Sequence, residues 1–387
     1  MSRYQALFLA VMAFAAPLRA AEPAAGADYA PPDPTEAPIV LLHDMSSGQT
    51  LFAREADRRF LPASITKVMT TLLAFDMLKA GRITEDQKYI VRPEVARAWT
   101  GKGTGLFLRA GQQITVAELL RGITTASAND ASIVLAEGAA GSTASWVTLM
   151  NRRAHELEMV NSHFGTPNGW PDAGQTYVTA QDMVRLAQAL IERHMLFYRQ
   201  YIGRRSVTVN GVALRNHDPI SGVVAGADGI KTGHTREAGY TFLGSAEREG
   251  RRLIMVIAAA PSESARAHAA RGLIEWGFSA FDSRPLFAGD AIIGQAKVQG
   301  GARTGVPLRA GRELFVAVPK DGRRDIHMSL RYKGPIKAPI DAGDKVAELE
   351  IRVEGMPAYR VPLYAERAVE SAGPFRRIWN GLKGIFA

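Results

Sequence analysis

The sequence predicts an α/β (α+β) domain with a mainly antiparallel sheet, then a small all-β domain, then a C-terminal amphipathic helix. Three observations carry this prediction. Strand-like runs near residue 40 and between residues 228 and 260 bracket segments of helical periodicity. From about Pro285 the texture changes to short apolar runs separated by Gly, Pro and Asp. The last residues, PFRRIWNGLKGIFA, return to helical spacing.

The chain opens with Arg3, an apolar run from Ala6 to Ala16, and Leu18-Arg19-Ala20. That order of basic, apolar and small residues reads as a secretory signal peptide over residues 1–20; an uncleaved anchor is the alternative. Its removal takes Arg3 and Arg19 away and lowers the net charge of the 387-residue chain from +9 to +7. A basic exported protein meets anionic lipid or wall polymer more readily than nucleic acid. The basic residues are scattered, and no nucleic-acid motif is present. Cys is absent, which excludes disulfides and thiolate metal sites.

Residues 21–37 are rich in Ala and Pro and read as a flexible leader. Pro38 to Asp44 is a strand candidate, Ser46-Ser47-Gly48 a turn, and Gln49 to Ala53 the returning strand. In FLPASITKVMTTLLAFDML, Ile65, Val68, Met69, Leu72, Leu73 and Met77 recur at helical spacing, so a helix should begin near Ser64. Ala117 to Ile123 and Ala180 to Ile191 are further helices. Arg205 to Asn216 alternates around Asn210-Gly211, a hairpin turn signal. Asp228 to Gly233 opens a β-rich pair, continued by strand candidates Tyr240 to Ala246 and Leu253 to Ala260. Ala265 to Phe278 reads as a helix, which completes a first domain over residues 38–282. Ala291 to Val298, Glu313 to Val318, Ile326 to Tyr332, Lys345 to Val353 and Tyr359 to Leu363 are the strand candidates of the second, residues 283–366. Residues 367–387 form a linker and the final helix. There Phe375, Ile378, Trp379, Leu382, Ile385 and Phe386 share a face, with Arg376, Arg377 and Lys383 beside or opposite it. The segment is too short to span a bilayer and suits a helix lying in the membrane interface; packing on the β domain is the alternative.

Three short motifs carry the chemistry. Ser64-Ile65-Thr66-Lys67 puts a hydroxyl at a helix N-terminus, where backbone N–H groups favour developing negative charge. Lys67 follows three residues on and returns to the same face. A neutral lysine there suits a base beside a serine nucleophile, which requires desolvation or a cationic neighbour. Ser127-Ala128-Asn129 can aim two polar side chains into one cleft. Lys231-Thr232-Gly233 leads into a strand, and Gly233 permits close approach of a ligand to its backbone. Taken singly, these read equally as a capping serine, a turn, and a turn before a strand. Their order, at intervals of 63 and 104 residues, makes coincidence a poor explanation.

With these motifs the sequence resembles the penicillin-recognising serine enzymes, whose signature is SxxK, SxN and KTG. The nearer likeness is to the low-molecular-mass penicillin-binding proteins that act as D-alanyl-D-alanine carboxypeptidases of the peptidase S11 type. PASITKVMT, LLRGITTASANDA, NSHFGTPNGWPDAGQTYVTAQDM and DGIKTGHTREAGYTFLGSA carry it. The resemblance implies a serine β-lactamase/transpeptidase-like catalytic domain. It implies that Ser64 attacks the D-Ala-D-Ala carbonyl, that Lys67 takes its proton, and that Ser127, supported by Lys231, relays a proton to the leaving amine. Asn129 would bind the substrate amide; Lys231 and Thr232, with Arg266, would face the terminal carboxylate. The backbone N–H groups of Ser64 and His234 would form the oxyanion hole. The implied partners are peptidoglycan stem peptides, β-lactam antibiotics and the outer face of the cytoplasmic membrane. No cofactor or metal is expected, since the eight His residues form no HExxH or HxH pair.

The rivals are a class A β-lactamase, a D,D-endopeptidase, and a penicillin-binding sensor without turnover. A class A enzyme uses a Glu to activate the deacylating water. Between Asn151 and Gln181 the acids are Glu156, Glu158 and Asp172, and none stands in an ExxxN match.

Overall fold

The computed structural model describes residues 36–209, 211–320 and 324–373. The expected signal peptide, most of the leader, Asn210 and residues 374–387, where the C-terminal helix is expected, lie outside the described residues.

Strands β1 (Ile39–Asp44) and β2 (Gln49–Arg54) form the first hairpin. A 3₁₀ turn over Ala63–Thr66 then runs directly into α1 (Lys67–Lys79). The six residues of the expected stripe are all buried, and so are Thr70, Thr71, Ala74 and Phe75, so α1 is a central helix enclosed by its neighbours. A small pair, β3 (Lys88–Ile90) and β4 (Gln113–Thr115), flanks α2 (Pro93–Trp99). Thr115 then starts α3 (Val116–Thr125) through a capping box with Glu118. Next come α4 (Asn129–Ala140), α5 (Thr143–Glu156) and α6 (Ala180–Tyr201). The last runs ten residues past its expected end at Ile191 and breaks helical geometry at His194 (φ −138°, ψ 36°). At the break the buried His194 bonds Asp76 of α1 through Nε2 at 2.9 Å.

After the hairpin β5 (Ser206–Val209) and β6 (Val212–Arg215), the long strands β7 (Ala227–Thr235), β8 (Gly239–Arg248) and β9 (Arg251–Ala260) complete a five-stranded antiparallel sheet, ordered β2-β1-β9-β8-β7. Alternate residues of β9 face two cores. Ile254 and Val256 join the helical side with α1, α3, α4 and α6, while Leu253, Met255 and Ile257 pack on the other face. That face is covered by α7 (Glu263–Ser279), capped by Ser262. β7 is the edge strand, and among the described residues no further strand pairs with its outer side.

The second domain opens with β10 (Phe281–Phe287), which pairs with β13 (Leu314–Pro319). Strands β11 (Gly294–Gln299), β12 (Gly305–Arg309), β14 (Ile326–Arg331), β15 (Ile336–Lys337), β16 (Lys345–Val353) and β17 (Tyr359–Ala365) form a six-stranded sheet around a separate core. The two domains meet where Gln49 brackets the Ala317 backbone: its Nε2 donates to the carbonyl at 3.1 Å and its Oε1 accepts from the amide at 2.5 Å.

Candidate active site

Ser64 sits in the 3₁₀ turn and Lys67 is the first residue of α1, so one chain reversal carries both groups. Lys67 has no solvent exposure, and its Nζ lies 2.8 Å from Ser64 Oγ. Two other acceptors hold the same nitrogen: Asn129 Oδ1 at 2.8 Å and the Asn168 carbonyl at 2.7 Å. A neutral amine has two N–H bonds and one lone pair. With Asn129 and Asn168 taking the two N–H bonds, the lone pair is left facing the Ser64 hydroxyl. The environment favours that neutral state. Burial pushes the Lys67 pKa well below the ordinary lysine value, and the charge of Lys231 adds to the effect, against a smaller opposing pull from Asp130.

Asn129 is the first residue of α4, and its backbone amide donates to the Thr104 carbonyl at 2.8 Å. Its Nδ2 donates to the Lys102 carbonyl at 3.1 Å, so the side chain is held from both ends. Asp130, next in the chain, anchors the same loop by accepting from the amides of Leu106 and Leu108. Ser127 stands at φ +61° in the turn between α3 and α4. A non-glycine residue in the left-handed region is held there by its surroundings, and such positions cluster at functional sites. Ala63, immediately before Ser64, has φ +48°.

Lys231 is buried, and its Nζ donates to the Thr232 carbonyl at 3.0 Å. Burial, then the positive charge of Arg266, lower its pKa to about 7, with Asp218 opposing. Arg266 lies in the first turn of α7 and is 3% exposed. Its guanidinium carbon is 5.7 Å from the centre of the Tyr240 ring, which stacks on His234 at 4.0 Å. Its Nη2 donates to Glu263 at 3.1 Å. Thus Ser64, Lys67 and Asn129 are joined by hydrogen bonds. The charge of Lys231 bears on Lys67 and that of Arg266 on Lys231, and His234 lies on the same strand as Lys231.

Gly233 also has a structural reason, beside the expected ligand approach. A side chain there would overlap Thr241 Oγ1 and come within 2.6 Å of the Pro62 carbonyl and 3.1 Å of the Ser64 amide. The glycine lets β7 press against the turn that carries Ser64, and Thr241 Oγ1 seals the contact by donating to the Pro62 carbonyl at 3.2 Å.

Sequence reasoning missed Asn168 and Gly169. Asn168 contributes a main-chain oxygen, which any residue type could supply. Gly169 (φ +73°) lies so close to the Ala63 carbonyl that a Cβ would overlap it. The Asn-Gly pair in TPNGW marks a turn, and only the fold shows that the turn reaches Lys67. Among the described residues no carboxylate hydrogen-bonds Lys67. Glu156 pairs with Arg153 at 2.6 Å, and Asp172 accepts from Thr176 Oγ1 at 2.5 Å within its own loop. Among the described residues no cluster of His, Cys, Asp or Glu could hold a metal ion.

Residues 27–262 match the family model described as D-alanyl-D-alanine carboxypeptidase. Residues 281–371 match the C-terminal domain of penicillin-binding protein 5. The chain is 32% identical to D-alanyl-D-alanine carboxypeptidase DacC of Escherichia coli (strain K12), over 98% of this chain and 96% of that one. It is 30% identical to DacF of Bacillus subtilis (strain 168), over 87% of each. Penicillin-binding protein 5 from Haemophilus influenzae superposes with a TM-score of 0.76 at 28% identity, covering 88% of this chain and 99% of that one. Penicillin-binding protein D2 from Listeria monocytogenes, solved with ampicillin bound, gives a TM-score of 0.58 at 28% identity, covering 65% of this chain and all of that one.

Proposed function

The chain belongs to the D-alanyl-D-alanine carboxypeptidase family, and we propose that it removes the terminal D-alanine of peptidoglycan stem pentapeptides through an acyl-enzyme on Ser64. The observation that carries this reading is the buried Lys67 amine, 2.8 Å from Ser64 Oγ and tethered by Asn129 and Asn168. Ser64 Oγ attacks the carbonyl of the D-Ala-D-Ala bond while Lys67 takes its proton. The amides of Ser64 and His234 stabilise the developing oxyanion. Ser127 passes a proton to the departing D-alanine amine, and water then releases the shortened peptide. Asn129 has a second duty in binding the substrate amide. Thr232 and Lys231 receive the terminal carboxylate, with Arg266 behind them; a guanidinium matches a planar carboxylate.

A β-lactam presents a strained amide to the same serine, so penicillins acylate Ser64, in keeping with the ampicillin-bound Listeria relative. A class A enzyme needs a Glu to activate the deacylating water, and neither Glu156, paired with Arg153, nor Asp172, bonded within its own loop, is bonded to Lys67, which disfavours rapid β-lactam hydrolysis. The N-terminal sequence supports export to the periplasm. The basic, Trp- and Phe-bearing C-terminus supports peripheral attachment to the outer face of the cytoplasmic membrane. No helix among the described residues is long and apolar enough to cross a membrane.

Mass spectrometry of a pentapeptide muropeptide incubated with the purified enzyme tests the reading. Loss of one D-alanine, abolished in Ser64→Ala, is the expected result. An unchanged muropeptide in the presence of active-site acylation by penicillin would instead identify a sensor.

A further inference from the structure

Strand β7 carries one residue more than its partner. Ala227 lies opposite Ala246 and Gly229 lies opposite Ser245, so Asp228 is the extra residue of a β-bulge. The bulge changes which way the strand's later residues point. Directly opposed residues of an antiparallel pair share a face. Ala227 therefore shares the α7 face with Ala246, and both pack with that core. Beyond the bulge, Lys231 lies opposite Leu243, which belongs to the core on the helical side, and the neighbouring Ile230 also contributes to that core. Strict alternation from Ala227 without the extra residue would turn Lys231 towards α7 and away from Lys67.

The bulge is gripped from several directions. Arg252 Nη1 donates to Asp228 Oδ2 at 2.7 Å, and the Tyr198 hydroxyl donates to Oδ1 at 3.0 Å. The same Arg252 nitrogen donates to Ser245 Oγ at 2.6 Å, across from Gly229, and Nη2 of Arg252 pairs with Glu247. Gly229 holds φ +116°, where a Cβ would lie 2.9 Å from Ile202; a Cβ on Gly203 would lie 2.6 Å from the Asp228 carbonyl. Both Tyr198 and Arg252 are buried.

We propose that Asp228 is a positioning residue: as the extra residue of the bulge, clamped by Arg252 and Tyr198, it sets the phase of β7 that directs Lys231 towards Lys67. This rests on the reading of Lys67 as base and Lys231 as its electrostatic partner. The groups around Lys67 are Ser64, Asn129, Asn168, Lys231 and Asp130; those acting on Lys231 are Arg266 and Asp218. Asp228 itself meets Arg252 and Tyr198, with Glu247 on the far side of Arg252. If Lys231 swings away, Lys67 loses a nearby positive charge and holds its proton to higher pH.

The test is the pH dependence of the penicillin acylation rate, with melting temperature recorded alongside, for the full protein and the variants Asp228→Asn, Tyr198→Phe and Lys231→Ala. Acylation rises with pH as Lys67 loses its proton. In Asp228→Asn that rising limb should move to higher pH, as in Lys231→Ala, and the rate at neutral pH should fall roughly 10- to 100-fold. Tyr198→Phe should move the limb less in the same direction. Glu275→Gln breaks the surface pair with Arg248 and should leave the profile where it was. An Asp228→Asn enzyme with a lower melting temperature but an unmoved limb and rate overturns the proposal. Should that variant not fold, an unmoved limb in Tyr198→Phe overturns it. A shift in Lys231→Ala without one in Asp228→Asn defeats the positioning role alone. No shift in Lys231→Ala defeats the base reading on which it rests.

Discussion

Lys67 shows how far a single residue can be read in advance and where the reading stops. Its spacing from Ser64 places the two groups on one face, and the hydrogen bond at 2.8 Å follows from that. What suits it to the proposed base role is the burial, the Lys231 charge and the two tethering acceptors, and these belong to the fold. Lys67→Arg keeps a cation but cannot give up its proton in practice. Penicillin acylation in that variant should fall by roughly 10²–10⁴-fold, the usual worth of a general base. A near-normal acylation rate, measured by stopped-flow, would contradict the base role. Asn168 was not legible, because it acts through its carbonyl and leaves no side-chain signature. Its neighbour offers the test. Gly169→Ala forces a Cβ onto the Ala63 carbonyl in a backbone conformation that disfavours it. Chemical denaturation should show a loss of about 1–3 kcal/mol, with slowed acylation because the Asn168 carbonyl shifts from Lys67.

At the scale of elements, the long periodic segments were legible and the short or strained ones were not. α1 declares itself through apolar residues at helical spacing from Ile65 to Met77, and β8 and β9 through apolar runs of seven and eight residues. β3 and β4 have three residues each, too few for any period to register. Past Ile191, α6 is held by tertiary contacts that leave no local pattern, the His194–Asp76 hydrogen bond and the buried Tyr198 and Tyr201 among them. Strand β1 carries an element-level pH effect. His43 lies on it beside Gln188, and burial lowers its pKa to about 4, with Arg312 adding to this and Asp44 opposing. Above the ordinary histidine value both folded and unfolded forms are neutral there, and nothing is lost. As pH falls from 6.5 towards 4 the unfolded chain takes up a proton that the folded one refuses, so stability declines across that window. The decline attributable to His43 should be on the order of 2–3 kcal/mol. Denaturant titrations at both ends of the window should show it, reduced in His43→Gln; an equal decline in that variant would place the acid sensitivity elsewhere.

For the whole molecule, two domains meet through β10, the Gln49–Ala317 contacts, and the hydrogen bond from Arg312 Nη1 to the Ser46 carbonyl at 3.0 Å. The change of texture near Pro285 announced the second domain. The contacts that seat it on the first come from single polar residues with no pattern to read. The C-terminal sequence adds a prediction at this scale. Ending the chain at Gly373 should release a soluble enzyme with full activity on small peptides. Membrane retention of the truncated protein, or loss of that activity, would count against an interfacial anchor. The proposed function turns on one covalent event, attack by Ser64, so the most direct test is to map the adduct. The purified protein is treated with a labelled penicillin, digested, and sequenced by tandem mass spectrometry. The account predicts the label on Ser64, with none incorporated by Ser64→Ala. A label on any other residue, or undiminished labelling of Ser64→Ala, would contradict it.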